Sequence, residues 1–244
     1  LNDQPTLPYL LDDDPFPDIE LAWVEPNGLL AMGADLSVPR LLKAYQSGIF
    51  PWYSHEDPLL WWSPDPRAVI NIGEFKPSTS LKKFHRKQTN LRVTKNEAFD
   101  HVIEACAHIP RQDNGTWITD SMIEAYKTLH RNKAAHSIEV WFDDELVGGL
   151  YGVGVGAVFC GESMFHKASN ASKIAFWYLN MHLAHYNYQM IDCQLLNPHL
   201  SSLGVYEIPR VVFSKQIREL REASINATCW VPGEIQDRSI GAHS

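Results

Sequence analysis

An α+β fold is predicted by three features of this 244-residue chain. Residues 136–165, "HSIEVWFDDELVGGLYGVGVGAVFCGESMF", read as an antiparallel meander broken at turn residues. Two segments ahead of it, 97–108 and 120–132, carry apolar residues at helical spacing. A helix and one more strand follow it. Three antiparallel strands, a helix and another strand form an α+β layer arrangement. With 45% hydrophobic and 11% aromatic residues, the chain can build a real core in one large domain or two smaller ones.

Taken in order, residues 1–27 hold five prolines and the acidic run Asp12–Asp14, which predicts an extended, irregular lead-in. Ser37 caps a short helix with Val38, Leu41, Leu42 and Tyr45 on one face and Gly48 at its end. "GIFPWYSHEDPLLWWSPDPRAVI", residues 48–70, is too Pro-rich for a helix and too aromatic for a floppy linker. A rigid loop that packs or binds is expected there, closing a small N-terminal domain over 1–66; residues 67–244 form the second domain. Phe99, Val102, Ile103 and Cys106 mark the next helix, and Met122, Ile123, Tyr126 and Leu129 the one after it. Thr119 is that second helix's N-cap. Strands are expected near 137–142, 145–153 and 157–163, turning at Asp143-Asp144 and around Gly154–Gly156. Asn170 caps a helix running to about Tyr186, and the strand containing "MIDCQLLN" (190–197) comes next.

Composition excludes several classes. No run approaches the ~20 apolar residues of a membrane-spanning helix, and no basic then apolar leader indicates export. The chain begins at Leu1 rather than Met, which predicts a trimmed native start. Four scattered cysteines without a CxxC pair fit a reducing cytoplasm. The net charge of -8 argues against broad, non-specific nucleic-acid binding. "LKKFHRK" (81–87) departs from that trend, with Lys82, Lys83, Arg86 and Lys87 around Phe84 and His85. Alone it reads as a solvated helix face, with a phosphate-contacting patch as the alternative.

Familiar site patterns fail on context. The glycines of "GGLYGVGVG" (148–156) lie in and between strands, whereas a dinucleotide fingerprint must open a helix. His182 and His185 share a helix, but no Glu or Cys cluster completes a metal set, so a surface or interface role is expected and no metal. No GxSxG, Cys–His signature or phosphate loop occurs. What stands out is polar residues inside apolar strands: Glu162 in "FCGESMF", and Asp192 with Gln194 in "IDCQLLN". Residues two apart on a strand share a face, so Asp192 and Gln194 are expected side by side. A single buried acid is most often a structural carboxylate, satisfied by backbone donors or an arginine. Several in one sheet beside an aromatic-rich segment point to a pocket suited to a cationic ligand or an amine nucleophile.

Long motifs then add a resemblance. "EPNGLLAMGADLS" (25–37), "AYQSGIFPWY" (44–53), "WWSPDPRAV" (61–69), "NGTWIT" (114–119), "AHSIEVW" (135–141), "ELVGGLYGV" (145–153), "FCGESMF" (159–165), "NASK" (170–173), "IDCQLLN" (191–197) and "SLGVYEIPR" (202–210) resemble the blocks of bacterial leucyl/phenylalanyl-tRNA–protein transferases, in order and over nearly the whole chain. The resemblance implies a small N-terminal α/β domain followed by a GNAT-like acyltransferase domain with a mostly antiparallel central sheet. It implies transfer of leucine or phenylalanine from leucyl-tRNA or phenylalanyl-tRNA to proteins with N-terminal Arg or Lys, which marks them for N-end rule degradation. No cofactor and no membrane are implied, the compartment is the cytoplasm, and a monomer suffices.

The resemblance also implies roles residue by residue. Asp192 and Gln194 match the proposed catalytic pair, in which Asp192 polarises Gln194 and the Gln194 carbonyl oxygen accepts a proton from the attacking amine. A carboxamide is a very weak base, so the alternative is that Asp192 attracts the cationic acceptor while a tRNA ribose hydroxyl shuttles the proton. Glu162 matches the carboxylate that pairs with the acceptor's basic first residue. Leu150, Phe159, Met164, Phe176, Leu179 and Ile191 match the aminoacyl side-chain pocket. Leu150 stands where the family's better-known members carry Met, which leaves the Leu-versus-Phe preference open. Trp52 and Trp117 match the residues that stack on the 3′ adenosine, and Lys82, Lys83 and Arg86 then become acceptor-stem phosphate contacts. Two other readings compete: a related aminoacyl-tRNA enzyme with another acceptor, and a non-catalytic tRNA- or degron-binding module.

Overall fold

The structure is a computed structural model that describes residues 6–108 and 118–236. The proline-rich lead-in is largely irregular, yet it supplies a short strand, β1 (Tyr9–Leu10), and a 3-10 turn over Ile19–Leu21. β2 (Leu29–Gly33) follows. Ser37 then starts α1 (Val38–Gln46), its hydroxyl accepting from the Arg40 N–H at 3.4 Å. Gly48, at φ 75°, ends that helix in the left-handed region, as expected of a C-terminal glycine.

Residues 48–70 are not the expected loop. They contain β3 (Phe50–Pro51), β4 (Leu60–Trp62) and most of β5 (Arg67–Asn71). The prolines mislead because they sit where a sheet tolerates them: Pro51 lies on an edge strand, and Pro58, Pro64 and Pro66 lie between strands.

α2 (Thr79–Arg86), β6 (Leu91–Lys95), α3 (Phe99–His108) and α4 (Asp120–Arg131) come next. Thr119 caps α4 as expected, its hydroxyl accepting from the Met122 N–H at 3.3 Å. The meander is β7 (Ala135–Phe142), β8 (Glu145–Val155) and β9 (Val158–His166). Asp143 and Asp144 both take positive φ, 47° and 64°, the conformation a tight two-residue hairpin turn needs. The second turn falls at Gly156-Ala157, so Gly154 belongs to β8. α5 (Ala171–His185) follows, but Asn170, at φ 65°, makes no side-chain cap bond; it turns the chain instead. The remaining elements are β10 (Met190–Gln194), α6 (Pro198–Ser202), β11 (Tyr206–Ile208), α7 (Arg210–Leu220) and β12 (Gly233–Glu234).

β1–β4 form a small sheet in the order β1-β2-β4-β3, and the other strands a large one in the order β11-β5-β10-β9-β8-β7-β6-β12. Pairing is mostly antiparallel; β1·β2 and β9·β10 are parallel. The mixed α+β class is therefore observed. One apolar layer joins the small sheet and α1 to α3, α4 and one face of the large sheet, through Leu41, Tyr45, Val102, Tyr126 and Tyr151. The other layer packs α2 and α5 on the opposite face, through Leu81, Ile138, Leu150, Phe159, Ile174 and Phe176. No helix among the described residues is long and apolar enough to cross a membrane.

Candidate active site

β10 pairs with β5 on one side and β9 on the other, which carries Asp192 and Gln194 into the middle of the large sheet. The strand does not keep its period. The register with β5 shifts between Asp192 and Gln194, and Gln194 takes φ 65°. This bulge, rather than simple alternation, sets the two side chains. Asp192 is 1% exposed and is held by a buried arginine: Arg67 Nε donates to Oδ1 at 2.8 Å and Nη2 to Oδ2 at 2.7 Å. Arg67 is itself 1% exposed, donates from Nη1 to the Gly48 carbonyl at 3.0 Å, and lies between the Phe50 and Phe213 rings. The Gln194 backbone N–H donates to Asp192 Oδ1 at 3.0 Å, so the carboxylate also fixes the bulge.

The Gln194 side chain turns elsewhere. Its Nε2 donates to Glu162 Oε1 at 2.7 Å. Glu162 also accepts from Tyr45 Oη at 2.7 Å on Oε1 and from Tyr126 Oη at 3.0 Å on Oε2, and the two phenols touch one another. Burial pushes the Glu162 carboxyl up to about 7; the three donors pull it down, and the Asp192 charge adds to the rise. Burial and the neighbouring carboxylate likewise push both tyrosines well above their usual value. They therefore stay neutral donors.

Glu162 and Gln194 line a cavity of about 410 Å³, together with Ser163, Asn197 and His199 as further polar residues. Its walls include all six expected pocket residues, Leu150, Phe159, Met164, Phe176, Leu179 and Ile191. Leu150 faces Met164 directly in the β8–β9 register, and the Phe75 ring braces Phe176 edge-on at 5.4 Å. Trp52, 40% exposed, lines the same cavity, with its ring 5.4 Å from that of Trp62 and its carbonyl accepting from Trp62 Nε1 at 2.6 Å. Such a mixed lining can hold an apolar side chain through its aliphatic and aromatic residues and an amine through its polar ones.

Not every expected residue gathers there. Asp192 lies behind the cavity wall, not on it. Lys82, Lys83 and Arg86 are exposed on α2, away from the cavity, while Leu81 and His85 fix that helix; His85 Nε2 is 2.8 Å from Tyr178 Oη on α5. Trp117 lies outside the described residues. His182 is buried rather than at the surface, 3.4 Å from Cys229 Sγ, and burial lowers it to about 4. Among the described residues no group of three His, Cys, Asp or Glu is placed to hold a metal. Sequence reasoning missed Arg67, Tyr45 and Tyr126. A signal for Arg67 existed: a carboxylate in an apolar strand demands a cation, and Arg67 opens β5 immediately after a proline.

Comparison with known proteins narrows the class. The family profile of leucyl/phenylalanyl-tRNA protein transferase matches residues 69–218, and that of its N-terminal domain matches residues 34–65. A leucyl/phenylalanyl-tRNA–protein transferase of Pseudoalteromonas atlantica is 57% identical over 220 residues, covering 90% of this chain and 94% of the relative. One from Photobacterium profundum is 52% identical over 232 residues, covering 93% and 97%. Among solved structures, a functionally unknown conserved protein from Staphylococcus epidermidis overlaps with a TM-score of 0.37 at 11% identity, covering 74% of this chain and 68% of that one, and carries no weight here. The family profiles and relatives define an aminoacyltransferase. The chain belongs to the leucyl/phenylalanyl-tRNA protein transferase family.

Proposed function

We propose that this protein transfers leucine or phenylalanine from aminoacyl-tRNA to the α-amino group of proteins that begin with Arg or Lys, tagging them for degradation in the cytoplasm. The observation that carries this reading is one cavity lined both by the apolar residues Leu150, Phe159, Met164, Phe176, Leu179 and Ile191 and by the hydrogen-bonded pair Glu162 and Gln194. Aminolysis of an aminoacyl ester is downhill, so the reaction calls for no ATP. The protein has to bring amine and ester together, remove a proton from an ammonium and stabilise a tetrahedral oxyanion.

In this reading Leu150, Phe159, Met164, Phe176, Leu179 and Ile191 hold the aminoacyl side chain. A β-branched side chain is stiffer and fits less well. Trp52 and Trp117 stack on the terminal adenosine, and Lys82, Lys83 and Arg86 meet acceptor-stem phosphates. Glu162 receives the basic acceptor, and Gln194 lies at the reaction centre with Asp192 bracing it from behind the wall. Residues 1–66 act as a small domain beside a GNAT-like catalytic domain over 67–244, and the working unit is a monomer.

Incubation with radiolabelled leucyl-tRNA and peptides starting with Arg, Lys, Asp or Met tests the reading. Label on the Arg and Lys peptides alone is expected. Label on the Asp peptide shifts the acceptor class, and tRNA binding without any transfer removes the catalytic reading.

A further inference from the structure

The amine must lose a proton before it attacks, and the two residues expected to arrange this are poorly placed for it. Asp192 is bound on both oxygens by Arg67 and does not reach the cavity. Its contact with Gln194 runs through the backbone N–H, not through the side-chain amide it is supposed to polarise. The Gln194 amide spends its Nε2 on Glu162. A carboxylate only accepts, so this contact fixes the amide orientation and leaves Gln194 Oε1 as an acceptor for an ammonium N–H. A neutral carboxamide can hold that ammonium but takes its proton very poorly.

Glu162 differs from both. It lines the cavity and, among the described residues, has no arginine or lysine partner and is held by neutral donors: Tyr45 on α1, Tyr126 on α4 and Gln194 on β10. Three of its roughly four lone-pair sites are used, two on Oε1 and one on Oε2. Among the described residues, one site on Oε2 stays open. The Asp192 charge opposes ionisation of Glu162, and Arg67 is paired with Asp192.

Resting on the transferase reading above, we propose that Glu162 is a catalytic residue that takes the proton from the acceptor's α-ammonium, with Gln194 holding the amine and the Arg67–Asp192 pair positioning Gln194. The ammonium N–H bond breaks and its proton passes to Glu162 Oε2. The freed nitrogen lone pair attacks the ester carbonyl carbon, and the bond from that carbon to the ribose oxygen breaks. The departing oxygen takes a second proton from the same nitrogen. Ammonium and ester become amide, alcohol and one proton, which Glu162 releases to solvent as product leaves. A base whose carboxyl lies near 7 is matched to an α-ammonium that titrates at about 8.

The test is the pH dependence of kcat for leucyl transfer to an Arg-starting peptide, compared among the parent protein, Glu162→Gln and Tyr126→Phe. The parent should show an acid limb near pH 7, with the rate rising as Glu162 ionises. Glu162→Gln should lower kcat about 10²–10⁴-fold and lose the limb, beyond any rise in KM from weaker acceptor binding, and added imidazole should raise the residual rate of Glu162→Ala. Tyr126→Phe removes a donor to the carboxylate and should move the limb to higher pH. A limb set by the acceptor's own ammonium would stay in place in both variants, and that result overturns the proposal. So does a Glu162→Gln defect confined to KM, which would mark a residue that only recognises the basic side chain. No transfer by the parent protein would instead remove the transferase reading itself, and this inference with it.

Discussion

Arg67 is only 1% exposed, and its two bonds to Asp192 and two flanking aromatic rings surround the buried guanidinium. Removing one member of a buried pair strands the other, at a cost of about 3–5 kcal/mol. Arg67→Ala should therefore lose that much stability in urea unfolding. Arg67→Lys should rescue only part of it, because an ammonium cannot reproduce the paired contact. A loss below about 1 kcal/mol, the scale of an exposed pair, would show that Arg67 and Asp192 do not organise this region. At the pocket wall, Leu150→Ala removes apolar volume beside Met164 and deepens the cavity. The ratio of kcat/KM for phenylalanyl-tRNA over leucyl-tRNA should rise about 10-fold, within the ~1–3 kcal/mol typical of such contacts. Competition between the two charged tRNAs measures this, and an unchanged ratio would place the aminoacyl side chain elsewhere. Glu162, Asp192 and Gln194 were legible because polar groups inside apolar strands demand partners. The partners were not: Arg67 lies 125 positions from Asp192, and Tyr45 and Tyr126 read as ordinary apolar-face residues of their helices.

Elements were legible where local chemistry sets them. The Ser37 and Thr119 caps, the Gly48 stop and the Asp143-Asp144 turn all follow from a few neighbouring residues. Prediction failed where sheet context decides. β3 to β5 were hidden by prolines that an edge strand and inter-strand turns accommodate, and α7 carries no strong cap. The bulge in β10 could not be read either, since it depends on the register with β5 and on the Asp192 bond to the Gln194 N–H. α2 makes its own prediction. It buries Leu81 and His85 against the body and leaves Lys82, Lys83 and Arg86 outward, on a protein of net charge -8. Lys82→Ala with Lys83→Ala should weaken tRNA binding and reduce the slope of log K against log salt by about 1–2. An unchanged slope in filter-binding titrations would remove α2 from the tRNA interface.

Across the whole molecule, buried titratable groups pull stability in opposite directions with pH. Burial lowers His136 to about 3 and His182 to about 4, so the unfolded chain binds their protons first and stability falls as pH drops below about 6.5. Glu162 works the other way. Its folded carboxyl is raised to about 7, so its contribution is fully present at low pH and is lost as pH rises from about 4.5 to 7. Glu162→Gln removes that contribution. The stability of the variant relative to the parent should therefore improve by about 3 kcal/mol between pH 4.5 and 7, since a tenfold change in proton affinity is worth about 1.4 kcal/mol. Urea unfolding at the two pH values reads the difference, and a constant gap would mean that Glu162 titrates as in the unfolded chain. The same carboxylate lines the cavity proposed to bring amine and ester together, so this stability signature bears on the proposed function. The most direct test of that function is mass spectrometry of an Arg-starting peptide incubated with the protein and leucyl-tRNA. The expected product carries one leucine in amide linkage on the α-amino group; unmodified peptide, or leucine on a side chain instead, would contradict it.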